Sequence, residues 1–310
     1  MADLSTSTAA TLSAVDLSKL PFPEFLAGQN YEDVLAQMLA DVNQFCLDKT
    51  GEPYIFHEAD PAYIIVEACA YRRWRDLLDY QAQVKNMLVA YAQGEWLDHL
   101  GANPDYKCAR LVIVPADPVN NIEAVMESDD DYRARLVLTN EGYTTAGSSG
   151  AYLFHALSAS GDVRDASVQS PTPGQVLVTV LSNSNNGAAA TTLINTVNAA
   201  LNAETVRPLC DQVSVQAATI NTYLVHAQLT TYPTADIPDV LARAQASIEA
   251  YTAAHFRLGH DITRAGLIAA ATVSGVQNVN LVMPSTDLVT DLSTARRCTA
   301  VTVAQIGAQL

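Results

Sequence analysis

Gly147-Ser148-Ser149-Gly150 stands directly ahead of "AYLFHALSASG", and its residue types are those of covalent or phosphate chemistry. A nucleophilic serine needs a strained G-x-S-x-G elbow with a histidine and a carboxylate positioned behind it. Two adjacent serines between the glycines miss that spacing. A phosphate cradle would need a P-loop lysine or a G-x-G-x-x-G string, and neither follows. Capping remains. Ser148 or Ser149 can accept from the free N–H groups of a helix expected over 151–159, and Gly147 or Gly150 can take a positive φ for the turn.

The other candidate sites fail on spacing. His255 and His260 in "HFRLGHD" are five apart, which puts two imidazoles on different faces of a helix, and Gly259 interrupts any helix between them. The run "ESDDDYRAR" (127–135) lacks the ligand spacing and the glycine of a calcium loop. Ser128 ahead of Asp129, Asp130 and Asp131 reads as an N-cap with acidic residues in the first turn. The five cysteines are scattered without a C-x-x-C pair, against both a zinc ribbon and a disulfide framework. No catalytic residue, metal site or cofactor site is expected.

Composition narrows the classes further. With 310 residues, 49% of them hydrophobic and 16% charged, the chain can bury two or three cores. A net charge of −16 with four lysines offers no cationic footprint for nucleic acid or for an anionic membrane surface. The N-terminus has neither the basic nor the apolar segment of a secretory signal, so retention in the cytoplasm of synthesis is expected. No stretch approaches the roughly 20 apolar residues of a membrane span.

The elements follow from periodicity. Residues 1–30 read as an extended arm ending at "LPFPEF". Tyr31, Leu35, Met38, Val42 and Phe45 form one helical stripe, capped by Asn30. Asp60 and Pro61 open a long helix, expected over 61–93 with Gly94 as its stop. Ala70, Trp74, Leu77, Val84, Leu88 and Tyr91 recur on it near 3.5 residues, the spacing of a helix-bundle seam, with Arg72, Arg73 and Arg75 close by. "EWLDHLGAN" is a short helix ended by Gly101.

From "ARLVIVPADP" onward, strands and helices alternate. "QVLVTVL" (175–181) suits a buried strand, and Leu193, Val197 and Leu201 share a helical face. Tyr223, Val225, Ala227 and Leu229 alternate on one strand face. Pro238 opens a helix whose stripe is Leu241, Ala244, Ile248 and Tyr251. "VQNVNLVM" and "CTAVTVAQI" are strands, and "SNSNNGAAA" (182–190) reads as a flexible linker. The segments 151–171 and 265–284 share a plan of helix, Ser-Gly stop, strand and proline. The fold class is α+β: a helical region (31–109), then a central domain (110–181) and a C-terminal domain (182–310) with short sheets covered by helices.

The order "ADPAYIIVEACAYRR", "YAQGEWLDHLGAN", "ESDDDYRARLVLTNEGYTTAGSSGAYLFHALSASGDVRDASV", "PTPGQVLVTVLS" resembles the baseplate J-like family, most densely over 127–181. The matching string includes Arg133, Arg135, Glu141-Gly142, Ala151-Tyr152 and Gly161 to Val163. The resemblance implies a structural wedge subunit of a contractile-tail baseplate, assembled in the host cytoplasm and carried in the virion. It implies pairing of two copies with one smaller wedge protein through N-terminal helices. It also implies contacts with sheath-initiator-like and hub proteins, and α+β domains that join six wedges into a ring. A receptor-binding module would call for aromatic-rich loops, and the aromatic content is 7%. A tail hydrolase would need the elbow that is missing.

Overall fold

A computed structural model of the chain describes residues 21–22, 29–143, 147–234 and 236–308. The expected arm at 1–30 falls almost wholly outside them, as does the 144–146 part of the turn. The chain divides into two compact units, one over 15–109 and one from residue 110 onward. Helices and three small sheets make up the described residues, an α+β fold.

The unit over 15–109 is helical. Helix α1 (Tyr31–Thr50) starts with a capping box: the Asn30 side chain accepts from Asp33 N–H at 3.0 Å, and the Asp33 carboxylate accepts from Asn30 N–H at 2.9 Å. It ends where Gly51, at φ 77, sends its N–H back to Leu47. Helix α2 (Pro61–Asn86) begins with Asp60 accepting from Ala62 N–H at 3.1 Å and with Pro61 at its first position. Leu35, Val66 and Ala70 are buried between the two helices, with Tyr31, Val34, Met38, Val42 and Tyr63 around them. Phe45, on the same sequence stripe, is 64% exposed.

Helix α2 is shorter than its pattern predicts. Met87 and Leu88 turn their N–H groups to the carbonyls of Val84 and Lys85, each at 3.1 Å, so the last turn tightens and stops. Leu88 and Tyr91 therefore lie in the turns that follow and not on the helix. Gly94 does not end α2; at φ 53 it is the first residue of α3 (Gly94–Gly101).

The second unit begins with a two-stranded ribbon, β1 (Val112–Val114) and β2 (Val125–Met126), followed by α4 (Asp129–Gly142) and α5 (Ser149–Ser158). Strands β3 (Val163–Gln169), β4 (Gln175–Ser182) and β5 (Gln212–Ala217) form the central sheet. In it β3 is antiparallel and β5 parallel to β4, from Gln175↔Gln212 to Val180↔Ala217. The parallel pair needs a crossover, supplied by α6 (Thr191–Leu201). Its Leu193, Val197 and Leu201 pack with α5 over Val178 and Val180.

Two expectations give way here. The central sheet runs past the boundary expected after residue 181, because β5 (Gln212–Ala217) is hydrogen-bonded to β4. Nor is 182–190 a free linker. The Asp162 carboxylate accepts from Ser182 Oγ (2.9 Å), Ser184 Oγ (2.8 Å) and Ser184 N–H (3.0 Å), while Asn183 N–H donates to Asp162 O at 2.7 Å.

The last sheet is β7 (Val276–Met283), β6 (Thr219–Thr231) and β8 (Thr294–Ala308), in that spatial order. Helices α7 (Ile237–Ala254) and α8 (Arg264–Ala271) cover one face. Tyr223, Val225, Ala227 and Leu229 of β6 point into that core with Ala244, Ile248 and Leu267. The sequence echo is structural. In both sheets a helix (α5 or α8) feeds an edge strand antiparallel to the central strand, whose other neighbour is parallel.

Candidate functional site

The serine turn is built as a cap. Gly147 has φ 69, whereas Gly150 is helical, inside α5. Ser148 holds extended backbone at φ −62, ψ 151, and its Oγ accepts from Ala151 N–H at 3.3 Å. Ser149 is the first residue of the helix. A Cβ on Gly147 would stand 2.8 Å from both Asp211 Oδ2 and Pro208 Cγ, so the turn is pressed against the segment before β5. Tyr152, one turn into α5, donates from its hydroxyl to Asp211 Oδ2 at 2.9 Å. Burial and the Asp211 carboxylate push that phenol well above its ordinary range. The adjoining cavity, about 220 Å³, is smaller than a typical ligand pocket.

A denser polar arrangement lies where α4, the central sheet and the end of α7 meet. Arg135, buried on α4, forks onto Glu127 through Nε at 3.1 Å and Nη2 at 2.6 Å. Glu127 also accepts from Leu111 N–H at 3.2 Å. Arg110 reaches the Glu127 carbonyl and the Asp129 carboxylate, each at 2.7 Å. Both guanidinium groups lie against the ring of Tyr132, at 4.8 and 5.4 Å. Ser128 caps α4 by accepting from Asp131 N–H at 3.2 Å. Asp131 then pairs with Arg257 at 3.0 Å, beyond the end of α7.

Strand β3 completes the joint. Arg164 donates to the carbonyls of Ala253, in the last turn of α7, and Phe256, just beyond it, each at 3.0 Å, placing a cation at the C-terminal end of the helix. Asp165 accepts from Leu258 N–H at 2.8 Å and Ala166 N–H at 2.9 Å. Burial raises the Asp165 carboxyl above its ordinary value against the pull of those bonds and of Arg257. Arg164 is lowered, first by burial and then by Arg257. Ser167 Oγ donates to Leu292 O at 2.5 Å. Apart from the Ala166 N–H bond, which stays within β3, each of these partnerships of β3 links it to another part of the unit, and the cavity beside them, about 160 Å³, is also too small for an ordinary ligand. Chemically this is a joint.

Sequence reasoning missed most of these residues. Arg133 and Arg135 entered only as part of a motif, and in the structure it is Arg135 that is buried. The available signal was a pair of adjacent charged residues, Arg164 and Asp165, near the start of β3. His255 stacks on Tyr251 at 4.0 Å, and its ring centre lies 6.0 Å from that of His260. Burial lowers the His260 pKa. Among the described residues no cluster of three or more metal-ligating side chains occurs, and no helix is long and apolar enough to cross a membrane.

The family's domains map onto these elements. The baseplate J-like N-terminal domain matches residues 58–117, the central domain 144–217 and the C-terminal domain 223–304. The central match closes with β5, where the sheet pairing ends. The chain belongs to the baseplate J-like family, a family of baseplate structural proteins. It is 40% identical over 292 residues to baseplate protein J of Escherichia phage P2, across 92% of this chain and 95% of that one. A solved structure, the six-fold symmetrised cryo-EM baseplate of the anti-feeding prophage, aligns with TM-score 0.40 and 14% identity, over 59% of this chain and 46% of that one.

Proposed function

We propose that the chain is a wedge subunit of a contractile-tail baseplate whose helical unit binds a smaller wedge protein together with a second copy of itself. The observation that carries this is the small core and large apolar surface of the helical unit. Only three side chains of the α1–α2 pair are fully buried, while Phe45 is 64%, Ile65 64% and Met87 66% exposed. Ile64, Tyr71 and Leu78, spaced by sevens on α2, are 52%, 55% and 38% exposed. A seven-residue apolar repeat left open is the seam of a helix bundle.

The stripe named from sequence runs beside that seam. Its Ala70 is buried against α1, and Trp74, Leu77 and Val84 are half-buried. Partner helices resting on Ile64, Tyr71 and Leu78 would close over Trp74 and Leu77 as well. Each large apolar side chain removed from water contributes roughly 1.5–3 kcal/mol. Ile64→Asp with Tyr71→Asp is expected to abolish pull-down of the smaller wedge protein while the circular dichroism of the chain stays unchanged. Retained capture by the double variant would refute the reading. The remaining expectation, that the α+β unit joins neighbouring wedges around the hub, is supported by its lack of a ligand-sized pocket at the joint and by its ion-paired, cross-braced construction.

A further inference from the structure

The central sheet and the last sheet each have a core of their own. The first packs its buried side chains with α5 and α6, the second with α7 and α8, and the two sets share no residue. The chain passes between them once: β5 ends at Ala217 and β6 begins at Thr219, so Ala218 alone connects the sheets. What else holds them together is small and largely polar. Its apolar part is a cluster of Leu181, Ala218, Leu258 and Ala295. Its polar part is the set of bonds from Arg164, Asp165 and Ser167 of β3 to the end of α7 and to Leu292, with the Asp131–Arg257 pair.

The kind of bond decides what this contact can do. Every bond from β3 across it involves a side chain, so all of them can be exchanged for water without breaking a strand pair or a helix. Small polar contacts between bodies with separate cores permit relative motion. Desolvation acts in the same direction. Burial shifts both Arg164 and Asp165 against their charged forms. Parting the two sheets returns both groups to water, which offsets part of what the lost bonds contributed.

We infer that the contact is a latch: the last sheet, with α7 and α8, swings as a rigid body about Ala218 when β3 lets go of the end of α7 and of Leu292. The closed state is the one described above. In the open state both cores stay intact, while Asp165, Ser167 and Leu258 meet water. A subunit with such a joint holds its two sheets at a second angle when its neighbours bind that arrangement better. The inference goes beyond the function proposed above and does not depend on what the helical unit binds.

Two reporters lie on separate parts of the contact. Leu258 N–H donates to Asp165 Oδ2 at 2.8 Å, and Ser167, 3% exposed on β3, bonds to Leu292 O. In native-state hydrogen exchange of the full chain, Leu258 N–H should be protected at least tenfold less than the Val178 and Val225 amides of the two cores. Its exchange should also depend less steeply on urea, because the opening exposes little surface. In a Ser167→Cys variant, maleimide should label the thiol at position 167 at a rate that follows the Leu258 opening. Arg164→Gln with Arg257→Gln should raise both rates at least tenfold further and leave Val178 and Val225 as they are. The urea dependence of the parent decides the matter even where that double variant does not fold. Leu258 exchange in step with Val178 and Val225 at every urea concentration would overturn the inference. So would a Leu258 amide that opens while the thiol at 167 stays protected, since the end of α7 would then fray alone. Unchanged rates in a folded double variant would overturn it as well.

Discussion

Ser148 shows how a residue that could do chemistry is committed to structure. Its oxygen accepts from Ala151 N–H, and its backbone angles are those of an N-cap. Ser148→Ala should therefore cost about 0.5–2 kcal/mol in urea unfolding, and a fluorophosphonate probe should label neither Ser148 nor Ser149. The choice between the two serines was not legible in the sequence, because the helix begins two residues before its first apolar side chain. Arg135 and Glu127 are a stronger test. Both are nearly enclosed, and removing one partner leaves the other charged and unpaired. Arg135→Met should cost about 3–5 kcal/mol by the same unfolding measurement, and Glu127→Gln added to it should recover part of the loss. A cost below about 1 kcal/mol would mean that Glu127 finds water when its partner leaves.

At the scale of elements, starts were legible and ends were not. Asn30, Asp60-Pro61 and Ser128 each announce a helix by a local hydrogen bond that short-range sequence encodes. The end of α2 depends on which carbonyls Met87 and Leu88 choose, and no residue type there dictates it. The apolar run of β4 marked it as buried, but its parallel partner β5 lies 37 residues on, and that pairing carries the central sheet past residue 181. The Asp162 bonds that hold 182–190 join residues about 20 apart, so a Ser/Asn-rich stretch read as loose.

The contact between β3 and the end of α7 was equally invisible, and it makes a pH prediction. In the fold Asp165 binds its proton more tightly than in the unfolded chain. The wild type therefore loses stability as pH rises from the unfolded carboxylate pKa, near 3.9, to the raised folded one. Asp165→Asn removes that dependence. Stability of the variant relative to wild type should rise across this window and then level off. A pH-independent difference would show that Asp165 titrates alike in both states.

The whole molecule explains why no single residue carries the function. Ion pairs and side-chain bonds to the backbone lock the α+β unit, while the helical unit leaves a seven-residue apolar repeat uncovered. Both features suit a subunit that is completed by its neighbours. Family membership was legible in the order of motifs around 127–181, whereas the open seam was not. Sequence periodicity alone does not separate the stripe closed by α1 from the stripe one position round, and Ala70 proved to be inside. The most direct test is co-expression of this chain with the neighbouring tail genes, followed by native mass spectrometry of what co-purifies. The account predicts two copies of this chain with one smaller partner. Recovery of the chain free of any tail protein would contradict it.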